Sequence, residues 1–160
     1  MIVYTNIRML NLFILCLFFI LITGLLIFGA LRTWGVQNSP NQKLFLGGRV
    51  PNPKPDGLYK GSVGFRTTWQ GKKFDASSST GLNLINNNEV YPFKTYVAKG
   101  LLDNKQDVFK IDYNISKNPL WLRFILDEIV ETGPNQYLGK VHLKIIPGIS
   151  FSLGYFKLEK

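Results

Sequence analysis

The chain has 160 residues, a formal net charge of +9 and a single cysteine. Once one long apolar run is set aside, what remains is enough for one domain with its own core. The lone Cys16 lies inside that run, so the domain has no disulfide framework, thiol nucleophile or cysteine metal site.

Positions 1–8 are a short tail. Met9 to Leu31 then reads MLNLFILCLFFILITGLLIFGAL, 23 residues without a charge between Arg8 and Arg32. In hydrocarbon every backbone N–H and C=O must be paired within the segment, which selects a helix. At about 1.5 Å per residue the run reaches roughly 34 Å, enough to cross a bilayer with some tilt. Leu12, Phe13, Leu17, Phe19, Leu21, Leu25 and Phe28 would face lipid, and Trp34 would sit among the headgroups. A cleaved leader is the alternative, but the run exceeds a leader's apolar core and ends without a small-x-small site. The expectation is an uncleaved, single-pass signal anchor.

Orientation is balanced between two signals. A short tail before a long domain favours an exported C-terminus, in a bacterial inner membrane. Arg32, Lys43 and Arg49 favour a cytoplasmic one by the positive-inside rule. Export is the expectation, with a cytoplasmic-facing domain as the alternative. Beyond Leu31 lie 18 of the 19 Lys and Arg and all ten acids, about +8 (18 minus 10). Charge of that sign beside a bilayer suits anionic headgroups. The basic residues are scattered and follow no nucleic-acid motif, so nucleic acid is not expected as a partner.

Positions 32–56 hold Pro40, Pro51, Pro53 and Pro55 with Gly47 and Gly48, which predicts an irregular linker. Its apolar Leu44-Phe45-Leu46 should pack on the domain, the bilayer surface being the alternative.

The domain is expected over 57–160. Short β-type runs alternate with turn signals: GLYKGSVGFRTTW, the segment from Gly71, Thr80 to Ile85, Tyr91 to Leu101 and VFKIDYNI. In the last, Phe109, Ile111 and Tyr113 share one face, and Lys110 and Asp112 the other, a period of two. Pro119 suits the first turn of a short helix near 119–124, followed by a strand near 125–132. QYLGKVHLKI puts Tyr137, Val141 and Leu143 on one face, and Lys140, His142 and Lys144 on the other. A Pro147-Gly148 turn precedes ISFSLGYFKLEK, whose inward set reads as Ile149, Phe151, Leu153 and Tyr155. The fold class is mainly β: an N-terminal transmembrane helix, then a seven- or eight-stranded antiparallel barrel, since closure hides strand edges.

Gly57-Leu58-Tyr59-Lys60-Gly61 resembles the opening G-x-W-x-G strand of lipocalin-type barrels, with Tyr59 in place of Trp. The resemblance implies an up-and-down barrel that holds one small apolar ligand. The chain is also similar to small membrane-anchored bacterial proteins of unassigned function.

His142 is the only histidine. Its strand phase predicts an exposed or rim position; a haem ligand would need it inside. Asp127 and Glu128 are adjacent and so point to opposite faces of a strand, which argues against a carboxylate pair acting together. Asp75 beside Ser77, Ser78 and Ser79 lacks a nucleophile elbow. No catalytic set, metal site or cofactor is expected.

Aromatics number 22. Tyr59, Trp69, Tyr91, Phe93, Tyr113, Tyr137, Phe151 and Tyr155 are the candidate lining of a barrel interior that would suit a lipid-like ligand. The leading expectation is a non-enzymatic, membrane-anchored module that binds a lipid-like or other apolar small molecule. The alternatives are a filled barrel docking on a membrane-protein partner, and a membrane-surface enzyme.

Overall fold

The computed structural model describes residues 2–146 and 148–160, with side chains at Met9 and from Asn11 onward. Pro147 of the expected turn lies outside them.

Helix α1 spans Ile2–Gln37 and is long and apolar enough to cross a membrane. It continues past Arg32 because no residue before Ser39 forbids it. Ser39 is extended, as a residue before proline tends to be, and Pro40 opens α2 (Pro40–Gly47) at a position where its missing N–H costs nothing. The sequence reading of an irregular segment over 32–56 is therefore corrected as far as Gly47: α1 runs on to Gln37, and Pro40 starts a second helix rather than breaking one. Phe45 of α2 is fully buried against Val108, Val130 and Leu138. Leu44 and Leu46 stay exposed.

Eight antiparallel strands close a barrel in chain order. They are β1 (Gly57–Ser62), β2 (Trp69–Asp75), β3 (Thr80–Ile85), β4 (Asn88–Lys99), β5 (Asp107–Asp112), β6 (Ile125–Gly133), β7 (Gln136–Ile146) and β8 (Ile149–Glu159). A 3-10 turn, Leu122–Phe124, precedes β6 where a short helix was expected. The run from Gly57 to Trp69 is not one strand, for 63–68 form the β1–β2 loop.

Up-and-down order puts the loops at two ends. The upper end carries 63–68, 86–87, 113–124 and the β7–β8 hairpin. The lower end carries the other three hairpins and the C-terminus.

Strand alternation separates two cores. Phe109 and Ile111 point inward with Tyr59, Phe74, Phe93, Tyr113, Ile129, Tyr137, Phe156 and Leu158. Val108 and Lys110 point outward, beneath α2 and the β4–β5 loop. β8 departs from the expected face. Its register against β7 shifts between Ser152 and Gly154, and one extra residue exchanges the two faces from there on. Phe156 and Leu158 are therefore the inward pair, and Tyr155 shares the outer face with its partner Lys140.

β8 pairs with β1 only at Lys157, Leu158 and Glu159. Above that, α1 lies along β8 in β1's place. Thr33 Oγ1 accepts the Ser152 N–H at 2.9 Å, and Arg32 Nε donates to the Leu153 carbonyl at 2.6 Å. Helix side chains thus satisfy edge groups that a longer β1 would otherwise pair.

Candidate functional site

The register of β2 shifts between Trp69 and Gly71. Gly71 has a φ of +141°, and a side chain there would collide with the Tyr59 carbonyl. The shift lets Trp69 share the inward face with Lys72 and Phe74. Lys72 Nζ is buried in the barrel, 3.0 Å from Asp127 Oδ2 and 2.9 Å from Asn83 Oδ1, and it also bonds the Tyr113 hydroxyl. Tyr113 donates to Asp127 Oδ2 at 3.1 Å, and Trp69 Nε1 donates to Asn83 Oδ1 at 3.1 Å. The rings of Trp69, Phe93, Tyr113 and Phe156 surround the ammonium at 5.1 to 5.4 Å. Four ring faces and a carboxylate offset part of the cost of burying that charge. Burial lowers the Lys72 pKa from 10.5, against the opposing pull of Asp127. Burial, and then Asp127, raises that of Tyr113 well above 10.

Below this network the barrel is filled. Tyr59 meets Phe74 edge-on at 5.7 Å, its hydroxyl lies 3.4 Å from that of Tyr137, and Phe74 packs on Phe93 at 5.4 Å. Above it a pocket of about 230 Å³ opens at the upper end. Val63, Phe65, Thr67 and Trp69 form one wall, Val141 and Phe156 the other, and Lys72 and Asp127 lie at its base. The walls are mostly apolar and the base holds a donor and an acceptor in fixed positions.

Of the eight aromatics read as interior, Tyr59, Phe93, Tyr113 and Tyr137 are in the inner core, and Trp69 and Tyr91 pack against it. Only Trp69 lines the pocket. Tyr91 also turns its ring toward Trp121, at 6.1 Å. Phe151 and Tyr155 stand elsewhere. The ring of Phe151 lies against Gly29 of α1, and Tyr155 packs on Phe45 with its hydroxyl 2.5 Å from Gln42 Oε1. Lys72, Asn83 and Phe156 were not among the residues read from sequence. Two-residue spacing from Phe74 would have placed Lys72 on the inward face. Nothing local marks Asn83.

A second polar cluster lies on the outer wall. Asp127 and Glu128 do face opposite ways, and each is buried with a lysine: Glu128 Oε1 is 3.2 Å from Lys110. His142 was read as exposed or at the rim. Its outer phase is as expected, but it is fully buried because α1, α2 and the β4–β5 loop cover that wall. Its Nε2 is 3.1 Å from Glu128 Oε2, and its Nδ1 is 3.1 Å from Ser152 Oγ, so both ring nitrogens are engaged. Burial pushes the Glu128 pKa up. The bond to His142, the charges of His142 and Lys110 and the Leu101 N–H outweigh it and leave it below 4.5. Lys140 is clasped by Asp103 at 2.5 Å and Gln42 at 2.6 Å, beneath the Phe45 ring at 4.4 Å. Asp75 is an exposed turn carboxylate, lowered to about 2 by the Ser77 hydroxyl and by bonds from Ser78 and the turn backbone.

No family model, curated protein or solved structure matches the chain. The closed eight-stranded meander is the architecture that the lipocalin resemblance implies, and it rests here on the strand register.

Proposed function

We propose that this protein is a membrane-anchored, non-catalytic binding module. In this reading α1 is a single-pass anchor, and the upper mouth of the barrel receives one end of a small amphiphile from the adjoining leaflet. The observation that carries the reading is the pocket itself: apolar walls from Val63, Phe65, Val141 and Phe156 over a polar base of Lys72 and Asp127. A hydroxyl, carboxyl or amine head would exchange hydrogen bonds with that base. The apolar part would remain against the walls. Pocket size limits the occupant, since about 230 Å³ falls below the 300–1,000 Å³ common for drug-sized ligands. A head group or a short chain segment fits, and a whole lipid does not.

The packed lower interior favours a second reading, a filled barrel that docks on a membrane-protein partner. One experiment separates the two. The full chain, in vesicles doped with a diazirine-bearing single-chain amphiphile, is illuminated and the adducts are mapped by peptide. Adducts at Trp69, Val141 or Phe156 support binding in the mouth. Adducts confined to α1 favour the filled barrel.

A further inference from the structure

The exposed apolar side chains of the barrel are unevenly distributed. Leu58, Tyr96 and Val97 are isolated on the side wall. Leu44 and Leu46 are exposed on α2, and the other large ones outside α1, among the described residues, gather at the upper end: Phe65 (74 % exposed), Leu120 (67 %), Trp121 (61 %), Phe124, and the hairpin residues Ile145, Ile146 and Ile149. A groove of about 470 Å³ runs between the 3-10 turn and this hairpin, with Leu120, Phe124, Ile145 and Ile146 on its sides and Arg123 and Lys144 beside them. The apolar sides of this groove form a surface patch of the kind that marks an interaction surface.

What covers it is indicated by α1. Thr33, Arg32 and Gly29 lie against Ser152, Leu153 and Phe151, so helix and strand run side by side in the same direction. Ile149 lies two residues before Phe151, about 7 Å further along at strand rise. At helix rise that is about the level of Leu25, well inside the uncharged run. Ile22 and Leu26, on the helix face shared with Gly29 and Thr33, are the least exposed large apolar residues of the run at 38 % each. The upper rim therefore continues the apolar surface of the helix.

The upper end is also net basic. Six acids, Asp56, Asp75, Asp103, Asp107, Glu131 and Glu159, belong to the lower end, beside cations of its own in Arg49, Lys54, Lys99, Lys105 and Lys160. The upper end has Arg66, Lys117, Arg123 and Lys144, and its acids Glu89 and Asp112 are each paired with a lysine. Cations flanking an apolar patch match an anionic headgroup layer around hydrocarbon.

We infer that the upper rim, formed by the β7–β8 hairpin and the Leu120–Phe124 segment, is a second membrane contact that dips into the leaflet α1 crosses. The inference rests on the reading of α1 as a membrane anchor. It makes the barrel a body held mouth-down on the bilayer by two attachments, rather than one swinging on a tether.

Site-directed spin labelling of the full chain tests it. In a Cys16→Ser background, Leu25→Cys, Leu120→Cys, Ile146→Cys and Lys105→Cys are each labelled and placed in phosphatidylcholine vesicles with a minor share of phosphatidylglycerol. The labels replace exposed side chains, so the fold is not at risk. Collision with oxygen, which concentrates in hydrocarbon, is compared with collision with a water-soluble nickel chelate. The inference predicts that the labels at 120 and 146 favour oxygen, as the label at 25 does, while the label at 105 favours nickel. If 120 and 146 behave like 105 while 25 favours oxygen, the anchor stands and the inference is overturned. If 25 also favours nickel, both fall. Shielding of 120 and 146 from both reagents that disappears on dilution in lipid would assign the rim to a second copy of the chain, and would equally overturn it.

Discussion

The ring of Phe151 rests on Gly29, where a Cβ would come within 2.6 Å of it. That contact joins the membrane-type helix to the barrel on the stretch of β8 that β1 does not cover. A glycine is needed because the helix backbone itself is the packing surface.

Gly29→Ala should therefore loosen the junction, at about 1–3 kcal/mol if the ring cannot yield. Phe151→Ala should cost less when Gly29→Ala is already present. A double-mutant cycle on the chemical-denaturation midpoint, in lipid nanodiscs, reads the coupling. Strict additivity would mean the two residues do not share a contact that matters.

Lys72 and Asp127 form a buried pair at 3.0 Å. Removing one partner leaves the other charge buried alone, so Lys72→Met or Asp127→Ala should each cost about 3–5 kcal/mol. Lys72→Met with Asp127→Leu should recover most of that loss, because well-packed apolar replacements of a buried pair are often neutral. Equal losses for the single and double variants would show that the pair is more than a balanced charge.

Glu128 contributes to the acid limb of stability. Its pKa is lower in the folded chain than its ordinary 4.5, so the folded state holds fewer protons near that pH. The contribution is complete above about 4.5 and is lost as pH falls through the lower folded value. A melting series should show a midpoint falling across that window. Glu128→Gln should be less stable at neutral pH and have a flatter acid limb. An unchanged slope would assign the acid limb to other carboxylates.

Phe45 is the anchor of α2, fully buried between β5, β6 and β7. Phe45→Ala should cost about 3–5 kcal/mol and release α2 from the wall. Amide exchange at Val108, Val130 and Leu138 should rise, and that of the inner core should not. Equal acceleration of both would mean the two cores open as one unit.

Much of this architecture was legible in the residues. An uncharged run of that length allows little but a helix, and Phe109, Lys110, Ile111 alternate as a strand with one covered face must. The 3-10 turn at Leu122–Phe124 followed its proline. What escaped were effects of register and cover. Tyr155 was assigned inward because the extra residue near Leu153 leaves no mark in composition, yet it inverts every face beyond it. His142 was placed at the rim because its outer phase was read as solvent, when α1, α2 and a loop supply a second layer there. A lysine in a strand reads as exposed, so its residue type does not single out Lys72. Its burial is made tolerable by Asp127, fifty-five positions away in the chain, together with Asn83 and the surrounding rings, and none of these is near it in sequence except Trp69.

The most direct measurement is native mass spectrometry of the full chain ejected from nanodiscs made with its own membrane lipids, beside a Val141→Trp variant whose indole fills the mouth. The account predicts a reproducible added mass on the wild-type chain, extractable by organic solvent and absent from Val141→Trp. A wild-type chain that flies without added mass, or added mass that persists unchanged in Val141→Trp, would contradict it.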